Sequence, residues 1–573
     1  MVEGNQDGRV VVVTGGGGGI GTVTAVELAS RGATVVALDP GIGVTGELLG
    51  ERSAEATVAQ IAAAGGTGHV SLVSVTDRDG LRDELRRVAS DLGSLDAVVN
   101  TAGILRFAQF PVASEEDWRV VLETHVDGYI NVLEAALPIM VDAGYGRIVG
   151  FTSGAGLARS IIDGAAYGCA KRIVASLTWE LRGALPDGVR VNALSPIAAT
   201  RMVREALIAS GVDRDRGLDL TAMPQAEDMA PAAAYLAGPE AGWLSGRVVY
   251  SAGPELSAVF PPRLLEAVRT DGVADVASAL GTLVPVVLGP VEADQRTSGG
   301  SNPRFGPVFD AAPPAGAPAG GEAPGGREAP GRGPTCVIVA DDEALAEAVD
   351  AGLASWGMAA VGIGPWKPVD DAASRVARTF ADATAALTRV TDGRQVDALV
   401  VALSGVDDAH RSIVAATPTW QEIVGAHREV VPHVVGCAAW LRAAADHVAR
   451  TGRPVRVVFV NPATTAAGRT SAQAVAQMSR SANETPTMPR VETFSVALES
   501  DAAGDREALG HLVARLASAD DALALRGAEL AVRPGWIALR SHPGPMATIS
   551  YGGGAVPAWA DDALRDAFAT GDG

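Results

Sequence analysis

Three side chains in the first half of the chain could move a proton together: Ser153, Tyr167 and Lys171, the last two within YGCAK. A Tyr and a Lys four residues apart lie on one helix face. A free phenol titrates near ~10, too high to act at neutral pH, and an adjacent ammonium lowers that value by stabilising the phenolate. Such a pair makes a general acid/base, and a nearby hydroxyl can hold a substrate oxygen. Taken alone, a Tyr and a Lys one turn apart are ordinary surface residues.

A second signal stands upstream. Residues 14–21 read TGGGGGIG directly after Val10–Val13. Glycine loses more backbone entropy on folding than any other residue, so the run answers a geometric demand. A strand turning tightly into a helix whose first amides approach a phosphate makes that demand, and Gly15, Gly19 and Gly21 supply it. The next apolar run, TVVALD, ends at Asp39, roughly 20 residues on, where a carboxylate can accept both hydroxyls of an adenosine ribose. The same charge repels a 2′-phosphate, so the pattern selects NAD over NADP.

The elements that must position these residues follow from periodicity. Apolar runs at Val10–Val13, Thr34–Leu38, Val70–Val75, Ala97–Asn100, Arg147–Phe151, Val189–Ala193 and Val248–Tyr250 alternate with helix-length segments. That alternation predicts an α/β fold, a doubly wound parallel sheet with helices on both faces. Residues 306–334, dominated by Gly, Pro and Ala, cannot bury enough apolar surface to order themselves and read as a linker. The expected organisation is a catalytic domain with a C-terminal extension over 1–305, the linker over 306–334 and a second Rossmann-type domain over 335–573.

Beyond the linker the first half is repeated. SEEDWRVVLETHVDGYINVLEAAL at 114–137 matches TPTWQEIVGAHREVVPHVVGCAAWL at 417–441, with Trp118 and His125 answering Trp420 and His427 at equal spacing. LDAVVN at 95–100 answers VDALVV at 396–401. An internal repeat of a whole domain is the better reading than chance similarity.

Composition limits the partners. A formal charge of −21 argues against nucleic acid and anionic membranes. No apolar stretch reads as a spanning helix and the N-terminal segment has no signal-peptide pattern, so a cytoplasmic location is expected. Cys169, Cys336 and Cys437 stand far apart without metal-ligand spacing, which fits buried thiols in a reducing compartment and no metal site.

Over residues 8–255 the chain resembles the short-chain dehydrogenase/reductase family. TGGGGGIG matches T-G-x-x-x-G-x-G, bringing in Thr14 and Ile20; NTAG matches N-N-A-G, bringing in Asn100, Ala102 and Gly103; Ser153, Tyr167 and Lys171 match the catalytic Ser and Y-x-x-x-K. RVNALSPIAATRM resembles the segment that contacts the nicotinamide carboxamide and places Pro196 and Thr200 there. The resemblance implies that Tyr167 transfers the hydroxyl proton, that Lys171 lowers its pKa and binds the nicotinamide ribose, and that Ser153 orients the carbonyl. Three positions depart from the pattern. The family's fourth catalytic residue, an Asn that helps hold a relay water, is His125 here, which either serves the relay or packs. The acid usual after the third strand is Ser74, leaving Val75 as the adenine contact. Ile197 replaces the usual Gly.

In the second half each functional position has changed. Gly15, Gly19 and Gly21 answer to Asp341, Leu345 and Glu347, while Ser153, Tyr167 and Lys171 answer to Pro462, Ala476 and Arg480. Side chains fill the space of a pyrophosphate and carboxylates repel it. A degenerate, non-catalytic domain is expected, covering the first half's apolar helical face as an intramolecular pseudo-dimer, with further pairing into a homodimer.

The implied activity is NAD-dependent interconversion of a secondary alcohol and a ketone by hydride transfer, on a small-molecule substrate of lipid-like class, hydroxyacyl-CoA or hydroxysteroid. An NAD(H)-sensing scaffold would not need the intact triad, and a polyketide-type ketoreductase would prefer NADPH, against Asp39. Substrate choice is expected to lie in the flap at roughly 201–226 and in residues 261–305.

Overall fold

The computed structural model describes residues 6–49, 52–157, 164–209, 223–295, 335–368, 375–391, 395–404, 418–488 and 490–571. The expected linker and half of the expected flap, residues 210–222, lie outside them. In the first half the strands are β1 Val10–Thr14, β2 Thr34–Leu38, β3 Thr67–Ser71, β4 Ala97–Asn100, β5 Gly146–Phe151, β6 Val189–Pro196, β7 Arg247–Ala252, β8 Glu255–Phe260 and β9 Leu264–Arg269. In the second they are β10 Thr335–Ala340, β11 Ala359–Ile363, β12 Ala398–Ala402, β13 Val455–Pro462, β14 Val491–Leu498, β15 Glu529–Arg533, β16 Trp536–Arg540 and β17 Gly544–Ser550.

Two sheets result, in the orders β17-β8-β7-β6-β5-β4-β1-β2-β3 and β11-β10-β12-β13-β14-β15-β16-β9. The central strands are parallel, wholly buried and mostly apolar, as burial on both faces by helices requires. The order reverses between β1 and β4, which opens a crevice at their carboxyl ends. β3 departs from the sequence expectation: it covers Thr67–Ser71 rather than 70–75. TGHVS carries little β signal, and an edge position tolerates it.

The expected domain boundaries also need correction. β9 leaves the first sheet and pairs antiparallel with β16, and β17 leaves the second and pairs antiparallel with β8. Between β8 and β9, and between β16 and β17, the chain crosses from one sheet to the other. The two crossings bond to each other, Ser541 N to Arg263 O at 2.7 Å and Arg263 N to Ser541 Oγ at 3.0 Å. Residues 264–293 accordingly pack on the second core through Val268, Leu280, Val284 and Leu288. The helix Ala558–Gly571 packs on the first through Leu564, Ala567 and Phe568. An edge strand's choice between two sheets leaves no mark in local periodicity.

The helical run Val276–Ala293 is a further departure, because by length and composition it could cross a membrane, with mean hydropathy 1.6. Leu280, Val284 and Leu288 are the residues it buries against the second sheet.

The halves meet through helices. Helix Ala165–Glu180 lies against Ala466–Glu484, and a single apolar cluster runs from Trp118, Tyr129 and Ile173 into Val434, Trp440 and Val475. Arg469 pairs with Glu180, and Arg428 with Glu134.

Candidate active site

The site forms where β1, β4 and β5 end. Gly15 takes a φ of +63°, and a Cβ there would stand 2.8 Å from Ala102 N, so the turn needs glycine to pass β4. A Cβ on Gly21 would strike Gly15 O, whereas one on Gly19 would enter open space. Thr14 Oγ1 donates to Asn100 Oδ1 at 2.6 Å, and Thr101 Oγ1 donates to Thr14 O at 2.6 Å, which ties the glycine turn to β4. Ile20 opens the following helix and packs against the core beneath it.

Asp39, at the end of β2, accepts from Gly17 N at 3.0 Å and from Gly41 N at 2.8 Å. Each carboxylate oxygen retains a further lone pair for a hydroxyl donor. The residues fit NAD(H): helix amides and a side-chain-free space at Gly19 suit a pyrophosphate, and the fixed carboxylate suits a ribose diol. Val75 lies four residues beyond the end of β3. Its side chain is buried against Gly128, and its carbonyl accepts from Asn131 Nδ2 at 2.7 Å.

Beyond β5, Ser153 caps the short turn Gly154–Gly156, and its hydroxyl bonds the phenol of Tyr167. Lys171 lies one helical turn on from Tyr167, its Nζ donating to Phe151 O at 2.8 Å and standing 5.5 Å from the tyrosine ring centroid. His125 meets the same tyrosine edge-on at 5.3 Å between centroids. The imidazole sits in a π-helical turn, Glu123–Asp127, which breaks the helix pair and turns the ring toward Gly103. Its Nε2 lies 2.7 Å from Ile104 O, and burial drives its pKa well below the usual value, so the ring is neutral.

Burial acts on both members of the pair. Desolvation pushes Tyr167 up to about 12, opposed by the Ser153 hydrogen bond. Desolvation also pulls Lys171 down to about 7. The lysine amine is held on the Phe151 carbonyl. Pro196 ends β6 opposite Ser251, and Thr200 Oγ1 accepts from Val203 N at 3.2 Å, starting the helix Arg201–Ala209.

Comparison with known proteins decides the family. Residues 9–208 match the short chain dehydrogenase family model. A short-chain type dehydrogenase/reductase of Mycobacterium tuberculosis is 40% identical over 36% of this chain and 72% of its own length. The chain belongs to the short-chain dehydrogenase/reductase family. The hydroxyacyl-CoA dehydrogenase ChsB1 of the same organism is 31% identical over 47% of this chain and 84% of its own. The peroxisomal hydratase-dehydrogenase-epimerase of Neurospora crassa is 35% identical over 35% of this chain and only 22% of its own.

Within this short-chain dehydrogenase/reductase, Ser153, Tyr167, Lys171 and His125 converge at the mouth of the glycine cradle. Sequence reasoning missed the groups that hold them: the Phe151 carbonyl on Lys171, and Thr152 Oγ1, which donates to Lys171 O at 2.7 Å. These contacts join strand end to helix and have no local signal.

The corresponding end of the second sheet is filled. Asp341 accepts from Ser404 N at 2.7 Å and pairs with Arg378, Leu345 is buried, and Asp342 caps the helix Glu343–Ser355. Arg480, answering Lys171, is buried against Glu529, and Pro462 closes β13.

Proposed function

We propose that the chain is an NAD-dependent oxidoreductase that interconverts a secondary alcohol and a ketone, on a lipid-like substrate of the hydroxyacyl-CoA or hydroxysteroid class. The observation that carries the reading is the meeting of Ser153, Tyr167 and Lys171 beside a cradle whose acid, Asp39, is fixed to the glycine turn. The names of the hydroxyacyl-CoA dehydrogenase and of the peroxisomal enzyme support the substrate class.

When bound, NAD(H) supplies the hydride acceptor or donor. Ser153 Oγ holds the substrate oxygen against Tyr167. The phenol gives that oxygen a proton in reduction, and the phenolate takes one from it in oxidation. In this reading Lys171 binds the hydroxyls of the nicotinamide ribose, and Pro196 and Thr200 meet the nicotinamide carboxamide. A screen of hydroxyacyl-CoA, hydroxysteroid and simple secondary alcohols with both cofactors tests the reading; no turnover of any secondary alcohol or ketone would sink it.

Asp39 should make NAD(H) the preferred cofactor. Ratios of kcat/KM for the two cofactors check this, with Asp39→Ala expected to relax the preference; equal or better use of NADPH by the unaltered protein would overturn it.

The raised phenol sets a pH dependence. Alcohol oxidation needs the phenolate, whose fraction grows with pH below a pKa of about 12. Its kcat/KM should therefore climb about tenfold per unit between roughly pH 7 and 9, while ketone reduction, drawing on the phenol, stays level. Profiles in both directions check the sign, and a flat oxidation limb would contradict it.

The helix pairing and reciprocal strand exchange support an intramolecular pseudo-dimer with one active site per chain; further pairing of two chains is part of the same proposal and rests on the habit of the family alone. Three free, buried thiols fit a reducing compartment such as the cytoplasm.

A further inference from the structure

The second half has lost its own site, yet it reaches the turn that carries Ser153. Gln477, on the helix Ala466–Glu484, donates from Nε2 to Ala155 O at 2.9 Å across the interface. Its amide cannot rotate freely, because Arg480 Nη1 donates to its Oε1 at 2.6 Å. Arg480 in turn donates to Glu529 Oε1 at 3.3 Å. The same Glu529 pairs with Arg172, the neighbour of Lys171, and Arg172 Nη1 donates to Leu157 O at 3.2 Å. Arg172 Nε also donates to Gln473 Oε1 at 3.1 Å. Two carbonyls of the turn, Ala155 and Leu157, are thus tied to one buried charge cluster built by both halves.

We propose that Gln477, clamped by Arg480 and Glu529, is a positioning residue that holds Ser153 at its working place in the first half's active site. The proposal rests on the reading of Ser153 as the hydroxyl that orients the substrate. Apart from its contact with the Tyr167 phenol, the bonds of Ser153 among the described residues lie within the turn: its carbonyl accepts from Gly156 N at 2.9 Å and its hydroxyl from Ala155 N at 3.3 Å. Anchoring the turn externally at Ala155 is what sets its orientation relative to Tyr167. A buried cluster of two arginines and a glutamate is costly to unpair, so Arg480 stays on Glu529 and the amide it holds stays aimed at Ala155. The position that answers the catalytic lysine has therefore become a clamp that serves the other half's site.

The test uses the full chain with Gln477→Met, which keeps the length of the side chain and removes the donor. The kcat should fall about tenfold or more, as displacement of a catalytic group by a fraction of an ångström does, with substrate KM and NADH affinity nearly unchanged. The effect should vanish in the Ser153→Ala background, because the two residues act through one hydroxyl. Hydrogen exchange at the Gly156 and Leu157 amides should quicken, a readout that needs no substrate. Should Gln477→Met fold poorly, Glu529→Gln unpairs both arginines and should show the same pattern. Equal loss of kcat with and without Ser153, or unchanged exchange in the turn, overturns the proposal. Faster exchange in a protein that turns over no alcohol or ketone would leave the clamp standing and remove the assigned reaction instead.

Discussion

Tyr167→Phe is expected to lower kcat by about two to four orders of magnitude, the usual worth of a positioned general acid/base. NADH binding should stay nearly intact, since the substitution deletes one oxygen and keeps the ring that packs edge-on to His125. The fold should survive, because the lost contact is a single hydrogen bond to Ser153, about 1 kcal/mol in net stability. Lys171→Ala should behave differently. It removes the amine held on Phe151 O, which in the proposed reading also binds the cofactor ribose, so binding and turnover should fall together. Titration of NADH fluorescence beside steady-state rates separates the two patterns. A Tyr167→Phe protein that keeps most of its activity would show that the proton moves through another group.

Which parts of this were legible in the sequence depends on the range over which each is specified. TGGGGGIG, Asp39 and the Tyr167–Lys171 pair could be read because each reports a local demand: a turn without Cβ atoms, an acid at a strand end, two groups on one helix face. The capping boxes Ser114/Asp117 and Thr419/Glu422 are equally local and recur where the repeat places Trp118 and Trp420. The electrostatics of the site could not be read. Whether Lys171 lowers the phenol or desolvation raises it depends on how deeply both groups are buried, which tertiary packing alone sets. The bond from Gln477 to Ala155 spans 322 residues of sequence and leaves no pattern in either segment. The exchange of β9 and β17 is hidden for a related reason. Both strands have the residues an edge requires, and only the crossings at Arg263 and Ser541 decide which sheet each joins.

That exchange shapes the second large expected effect, truncation near residue 305. The fragment 1–305 loses β17 from its first sheet, leaving the edge of β8 open, and loses the helix that buries Leu564 and Phe568. Those two side chains alone are worth about 3 to 6 kcal/mol of burial, a large share of the ~5–15 kcal/mol that holds a domain folded. It also loses the sheet that β9 and the helix after it pack against, and exposes the apolar face of the Tyr167 helix together with Arg172, whose partner Glu529 is gone. No active monomer should result. One rescue is built into the topology: β9 holds in the second sheet the place that β17 holds in the first, so two copies of the fragment could each lend β9 to the other's β8. The fragment 1–260, which lacks β9, has no such route and should aggregate. Supplying 335–573 as a separate chain should restore activity to 1–305 by returning β17, the terminal helix and the Gln477 clamp together. Light scattering, to read oligomeric state, and kcat of each preparation decide between these outcomes. A monomeric, fully active 1–305 would mean that the second half is kept for something other than completing the first, and recruitment of a partner would then be the reading to pursue.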